Sequence, residues 1–436
     1  MMFEQKSNAP MAVPVALAHG QVSAAHAVPV AVASHAVPHA VPHAVPMGGG
    51  GGGGGGGMNT DPAAARQFLA SEGFPMGLAN QVLKTKMAFP LRYWIVDNSG
   101  SMGIADGKKQ TPRGPVQCTR WEELRETVNF HGRLADVMGS ATEFRLLNPP
   151  LGGQQFVHIG GDGGAGAGGE ALDMLLATMM TDPTGRTPLC GHLQYVHDQI
   201  VAQAGALQQH GQKAVLVIAT DGVATDGDLA QMLRSFEQLP VWVVVRLCTD
   251  EDEIVEYWNN IDADIEVDMD VLDDLEGEAT EVTAVNPWLN YSMPLHRARE
   301  WGMPKKTFDL LDERLLTGTE MRELCTLLLF DDGGGGGGGG GGLPYPGHDW
   351  GAFQAALDVE VAQAGKTWDP KQRRMLPWIS SRGLRSSYKK GGGGALAPLL
   401  QGCGGVTLVM VIGLLLAICG AYFSYLFGYV AGTDFR

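Results

Sequence analysis

The chain has 436 residues, with 31 Lys and Arg against 47 Asp and Glu, for a formal net charge of −16. A surface this acidic excludes general nucleic-acid binding, which rests on neutralising phosphates. The six cysteines, Cys118, Cys190, Cys248, Cys325, Cys403 and Cys419, form no Cys-x-x-Cys pair, so a disulfide framework and a zinc knuckle are not expected and a reducing compartment is.

Residues 1–58 read as a low-complexity, disordered tail. It repeats His-Ala-Val-Pro from His26, His35, His39 and His43 and ends in the glycine run Gly48–Gly57. Its start carries no apolar h-region, so no secretory signal is expected. A helical lead-in spans 59–87, beginning at the capping residues Thr60-Asp61-Pro62 and broken by Gly73-Phe74-Pro75.

The period then changes. Trp94-Ile95-Val96, Ala214–Ala219 and Val241–Val245 are short apolar runs without alternation, as expected of strands buried on both faces of a parallel sheet. Glu143–Leu147 and Phe156–Ile159 are further strand candidates. Helical spacing predicts Trp121–Met138, Glu170–Met180, Gly191–Ala204, Asp228–Gln238 and Glu251–Asn260, with His131 as a packing residue on the apolar face of the first. Strands alternating with helices predict an α/β fold, a doubly wound, mostly parallel sheet with flanking helices over 88–275. The glycine-rich Gly160–Glu170 lacks the Gly-Lys-Ser/Thr of a phosphate-binding loop and reads as an insertion at the sheet edge.

Between Leu247 and His296 stand 15 acidic residues and no Lys or Arg. Acids alternate with apolar residues from Asp262 to Val271, which predicts a half-buried edge strand with a solvated acidic face. The region 250–281 is also a candidate docking face for a basic partner. An EF-hand is excluded, because Val267 occupies the sixth position from Asp262 where glycine is needed.

A helical extension follows over 276–330, then a poly-glycine linker at 333–342 and a helical, basic segment at 343–390. Val406–Ala431 has 26 residues without a charge, enough for one membrane-spanning helix. The basic residues Arg373, Arg374, Arg382, Arg385, Lys389 and Lys390 precede it. This predicts a single-pass, tail-anchored protein with most of the chain facing the cytosol.

The candidate site lies where the strands end. Asp97, Ser99 and Ser101 follow the first buried run in "WIVDNSGSM", and Asp221 follows the second in "VLVIATDG". Thr187, in "TGRTPLCGHL", precedes a helix whose free N–H groups favour anions. Open α/β sheets bind ligands outside the carboxyl ends of their strands, and five oxygen side chains there suit a hard cation. Gly100 and Gly222 allow tight turns beside them.

This constellation resembles the von Willebrand factor A domain and its metal-ion-dependent adhesion site. The resemblance covers under half of the chain and implies a Rossmann-like sheet with Mg2+, or Mn2+, at the rim. It implies that Ser99, Ser101 and Thr187 coordinate the ion directly or nearly so. Asp97 and Asp221 then act largely through water, and a partner's carboxylate fills the open position. The expected function is a membrane-anchored interaction module, not an enzyme. The alternative is a non-catalytic subunit of an ATP-driven, chelatase-like or remodelling complex, since the chain has no nucleotide-binding motif of its own.

Overall fold

The computed structural model describes residues 62–388, apart from 112–113, 162–168, 250 and 331–341. The N-terminal tail, most of the Gly160–Glu170 insertion, nearly all of the poly-glycine linker and the apolar 406–431 run lie outside the described residues. Among the described residues, no helix is long and apolar enough to cross a membrane.

The lead-in forms two helices, α1 (Pro62–Ser71) and α2 (Met76–Ala88). Gly73, at φ 81°, turns the chain between them in a conformation that glycine adopts without steric cost. Strand β1 (Leu91–Val96) leads through a single 3-10 turn (Gly100–Gly103) to an antiparallel hairpin, β2 (Gly107–Thr111) and β3 (Gly114–Cys118). Helix α3 (Arg120–Met138) opens with a reciprocal capping box between Thr119 and Glu122 and closes on left-handed Gly139.

The chain then alternates through β4 (Ala141–Leu146), β5 (Phe156–Ile159), α4 (Glu170–Thr178), α5 (Leu189–Gln209) and β6 (Ala214–Thr220). Next come α6 (Leu229–Arg234), β7 (Val241–Leu247), α7 (Asp252–Asp264) and β8 (Met269–Leu272). Four helices follow: α8 (Leu275–Val285), α9 (Met293–Glu300), α10 (Lys306–Glu313) and α11 (Gly318–Leu329). The described chain ends with α12 (Trp350–Ala364), the hairpin β9 (Lys366–Asp369) and β10 (Arg374–Pro377), and α13 (Ser381–Tyr388).

Six strands form one sheet in the order β5-β4-β1-β6-β7-β8, all parallel except the edge strand β5. The chain first steps outward from β1 to β4 and β5, then returns across β1 to build β6, β7 and β8. The direction of winding therefore reverses between β1 and β6. In an open parallel sheet that reversal opens a crevice at the strands' carboxyl ends.

Successive side chains feed opposite cores. Trp94, Val96, Val215, Val217 and Val244 enter one, which α1, α2, α3, α8, α9, α11 and α12 also fill. Tyr93, Ile95, Leu216, Ile218 and Val243 enter the other, under α5, α6 and α7. The lead-in and the extension therefore share a core with the sheet. A Cβ on Gly77 would lie 2.5 Å from the Leu327 carbonyl, so glycine permits α2 to press against α11.

The predicted edge strand over 262–271 is corrected. Helix α7 runs through Asp264, and β8 starts only at Met269. Within β8 it is Asp270 and Leu272 that are buried, while Met269 and Val271 are partly exposed. The inward acid is held by Arg299, whose guanidinium donates to Asp270 at 2.9 Å. Alternation placed the charge outward because it took no account of a buried cation.

Candidate metal centre at the sheet's winding reversal

Asp97 is the first residue after β1 and Asp221 the first after β6, so the two flank the reversal point. Pairing of β1 with β6 continues past the strand, since the Asp97 N–H donates to the Ala219 carbonyl at 2.9 Å. The Asp97 carboxylate is buried and accepts from the Ser99 N–H at 2.8 Å and the Thr220 hydroxyl at 2.6 Å. It makes no ion pair among the described residues. Burial raises its carboxyl to about 6, with the Thr220 and Ser99 hydrogen bonds opposing and the Asp221 charge adding to the rise.

Hydroxyls join the two acids. The Ser99 and Ser101 oxygens lie 3.0 Å apart, and the Ser101 hydroxyl donates to Asp221 Oδ1 at 2.9 Å. Because Ser101 spends its one proton on Asp221, the Ser99 hydroxyl is the donor between the serines. Asp97, Ser99, Ser101 and Asp221 thus form one continuous hydrogen-bonded rim. Ser101 is exposed, which leaves the rim open to solvent on that side.

Thr187 reaches the same rim through its loop. The Gly100 N–H donates to the Gly185 carbonyl at 3.2 Å, and the Thr184 N–H donates to the Asn98 carbonyl at 2.7 Å. Gly185 has φ 101°, and a Cβ there would lie 2.5 Å from the Asn148 amide. This is the glycine the site needs, since Gly222 has open space around it and Gly100 meets only Gly185 at 3.8 Å. Thr187 is buried, and its carbonyl accepts from Leu189 and Thr225, each at 2.9 Å. Among the described residues, no hydrogen bond links its hydroxyl to the other four.

Arg120 went unread in the sequence. It is 2% exposed and donates to Asp221 Oδ2 at 3.1 Å, to Asp106 at 2.6 and 2.8 Å, and to Glu251 at 2.5 Å. Hydrogen bonding to Asp106 leads the causes that raise its pKa, and Arg120 in turn holds the Asp106 carboxyl below its usual range. The available signal was its position. A cation at the first turn of a helix opposes the macrodipole and needs acids to keep it there.

The donor set is entirely hard oxygen, the type Mg2+ and Mn2+ prefer. Asp97 supplies a buried negative charge without a cationic partner. Asp221 already has one in Arg120. The residues therefore fit a hard cation placed on the Asp97 and serine side, with Asp221 turned partly away from it.

A second group of acids surrounds Arg299, beyond the rim. Carboxylate oxygens of Glu278, Glu281 and Asp312 come within 4.8 Å of one another. Arg299 supplies their cation, meeting Glu278 at 2.6 Å and Asp312 at 3.5 Å as well as Asp270. Nearby Asp309 is half-buried with one oxygen unpartnered, and burial followed by the Asp270 charge lifts its carboxyl to about 7. A carboxyl raised in the folded state favours folding when protonated, so stability falls as pH rises from the unfolded value toward 7. Asp309→Asn should therefore stabilise the chain at pH 8 by on the order of 1 kcal/mol, allowing for partial exposure, and do little at pH 4. Urea unfolding at the two pH values measures the difference.

No family model matches the chain, and no curated protein matches it.

Proposed function

We propose that the chain is a membrane-anchored interaction module of von Willebrand factor A type that captures a protein partner through Mg2+ at Asp97, Ser99, Ser101, Thr187 and Asp221. One observation carries this reading: residues 124 positions apart, Asp97 and Asp221, share one hydrogen-bonded rim through Ser99 and Ser101 at the sheet's winding reversal. The ion would be held by the serine hydroxyls and Thr187, with the two carboxylates around them. Bound there, it supplies a Lewis-acidic position that favours an anionic oxygen from outside. The protein's own part is to keep Ser101 accessible, to orient both serines through Asp97 and Asp221, and to hold the 184–187 loop against the 98–101 turn.

In this reading the apolar 406–431 run anchors the chain, with the described residues on the cytosolic side. Partner capture should require the ion. Thr187→Ala should weaken capture by tenfold or more, about 1.4 kcal/mol, and a chelator should release the partner from the wild-type protein. Moderate salt should matter less, because a direct ion–carboxylate contact is screened less than separated surface charges. Washing captured material with chelator and with salt in parallel decides the point. A partner that survives chelator and leaves in salt would transfer the interaction to the acidic 250–281 region and a basic ligand.

A further inference from the structure

The charge of the chain is divided unevenly. Residues 366–390 contain Lys366, Lys371, Arg373, Arg374, Arg382, Arg385, Lys389 and Lys390, with Asp369 as the sole acid, in a chain of net charge −16. Six of these cations fall in the described β9–β10 hairpin and α13, and all six are exposed. Asp369 is buried and occupied with the hairpin turn, where it accepts from the Gln372 N–H at 2.6 Å.

Few of the cations are neutralised locally. Arg373 approaches Glu276 at 3.4 Å, and Lys371 donates to the Thr283 hydroxyl at 3.2 Å. Lys366, Arg374, Arg382 and Arg385 make no ion pair among the described residues. Arg373 also occupies a left-handed turn position, at φ 52°, which glycine or asparagine fills more easily. Met375, beside it, leaves a large apolar side chain exposed.

Helix α13 has the matching polarity. Leu384 is buried and the Tyr388 hydroxyl donates to the Leu316 carbonyl at 2.8 Å, so that side faces the core. Arg382 and Arg385, three residues apart, are exposed. The uncharged 406–431 run begins 18 residues after α13 ends.

We infer that the exposed cations of the β9–β10 hairpin and α13 dock the chain on the anionic headgroups of the membrane that holds it. Clustered Lys and Arg next to a membrane span are attracted to phosphatidylserine-type surfaces, and each is worth roughly a fivefold gain in association. The acidic remainder of the domain is repelled by the same surface. The inference rests on the anchored reading for its geometry, and the following test separates the two.

Full-length chain is assembled into nanodiscs of phosphatidylcholine alone, or of phosphatidylcholine with phosphatidylserine. Backbone hydrogen exchange is then read in peptides covering 366–388. Phosphatidylserine should slow exchange there, and 1 M salt should reverse the effect by shortening the screening length to about 3 Å. Arg374→Gln/Arg382→Gln/Arg385→Gln should lose most of the protection, roughly fivefold per charge removed, while peptides covering 91–102 exchange as in wild type. Equal exchange in both disc types, with the chain present in both, overturns the docking and leaves the anchor standing. A chain that enters only the anionic discs overturns the anchor and keeps the docking. Protection by polyuridylate with none from phosphatidylserine overturns the lipid assignment.

Discussion

Titration of Mg2+ into the wild-type chain should give a saturable heat, and Asp97→Ala/Ser99→Ala should abolish it. The double variant removes the buried carboxylate that has no cationic partner, together with the first hydroxyl of the Ser99–Ser101 pair. Both are buried, but they lie in the turn after β1, outside the two apolar cores, so the fold should persist. A ligand that binds only the folded state stabilises it by about 2.7 kcal/mol at a hundredfold excess over its dissociation constant. Mg2+ should therefore raise the melting temperature of the wild type and leave the double variant unmoved. Asp97→Asn refines the result, since it is close in shape and lacks the charge. Without metal it should be at least as stable as wild type, because an uncompensated buried charge is unfavourable. Equal heats and equal shifts in wild type and double variant would remove the metal from this rim.

Much of the sheet was legible because its strands are buried on both faces. "AVLVIAT" and "VWVVVRL" carry apolar side chains into both cores, and no helix of that length needs such a run. The two hairpins were not legible. "GKKQT", "GPVQC" and the 366–377 segment are polar or mixed, and their strands are held by each other and by turn geometry. At the rim, the order Asp-x-Ser-x-Ser and then Thr-Asp-Gly was readable, because each motif directly follows a buried run. Which glycine matters was not. Gly185 is set by its closeness to Asn148, a partner 37 positions away that local sequence does not reveal. Arg120 and Arg299 were missed for the same physical reason. Their acids come from separate elements, so the ion pairs exist only once the chain has folded.

The largest loss of stability from a single polar substitution should come from Glu300→Ala. Glu300 lies at the end of α9, 1% exposed, and gathers four basic groups. His131 meets it at 2.9 Å, Arg246 at 3.3 Å, His296 at 3.4 Å and Arg297 at 3.9 Å. A carboxylate only accepts, so His131 Nε2 carries the proton between them. The His131 ring itself lies parallel to Trp301 at 5.7 Å and close to Trp94 at 4.6 Å, the packing role its sequence position implies. Burial pushes the Glu300 carboxyl up, but its His131 hydrogen bond and the other basic groups around it outweigh that and hold it well below the usual range. Removing one partner of a buried charge network costs about 3–5 kcal/mol, because the remaining charges stay desolvated. Glu300→Gln should cost less, since an amide oxygen still accepts from His131. The pH dependence has a definite sign. A carboxyl with a depressed folded pKa stabilises above its unfolded value, so the Glu300 contribution should be complete at pH 7 and shrink only below about 4.3. His131 acts in a different window. Burial lowers its pKa to about 4, so the unfolded chain takes up its proton first and stability falls as pH drops from about 6.5 toward 4. Urea unfolding of wild type, Glu300→Gln and Glu300→Ala at pH 7 should rank them in that order. A Glu300→Ala chain as stable as wild type would mean that the surrounding arginines are solvated by other means, and the network would lose its place in the core.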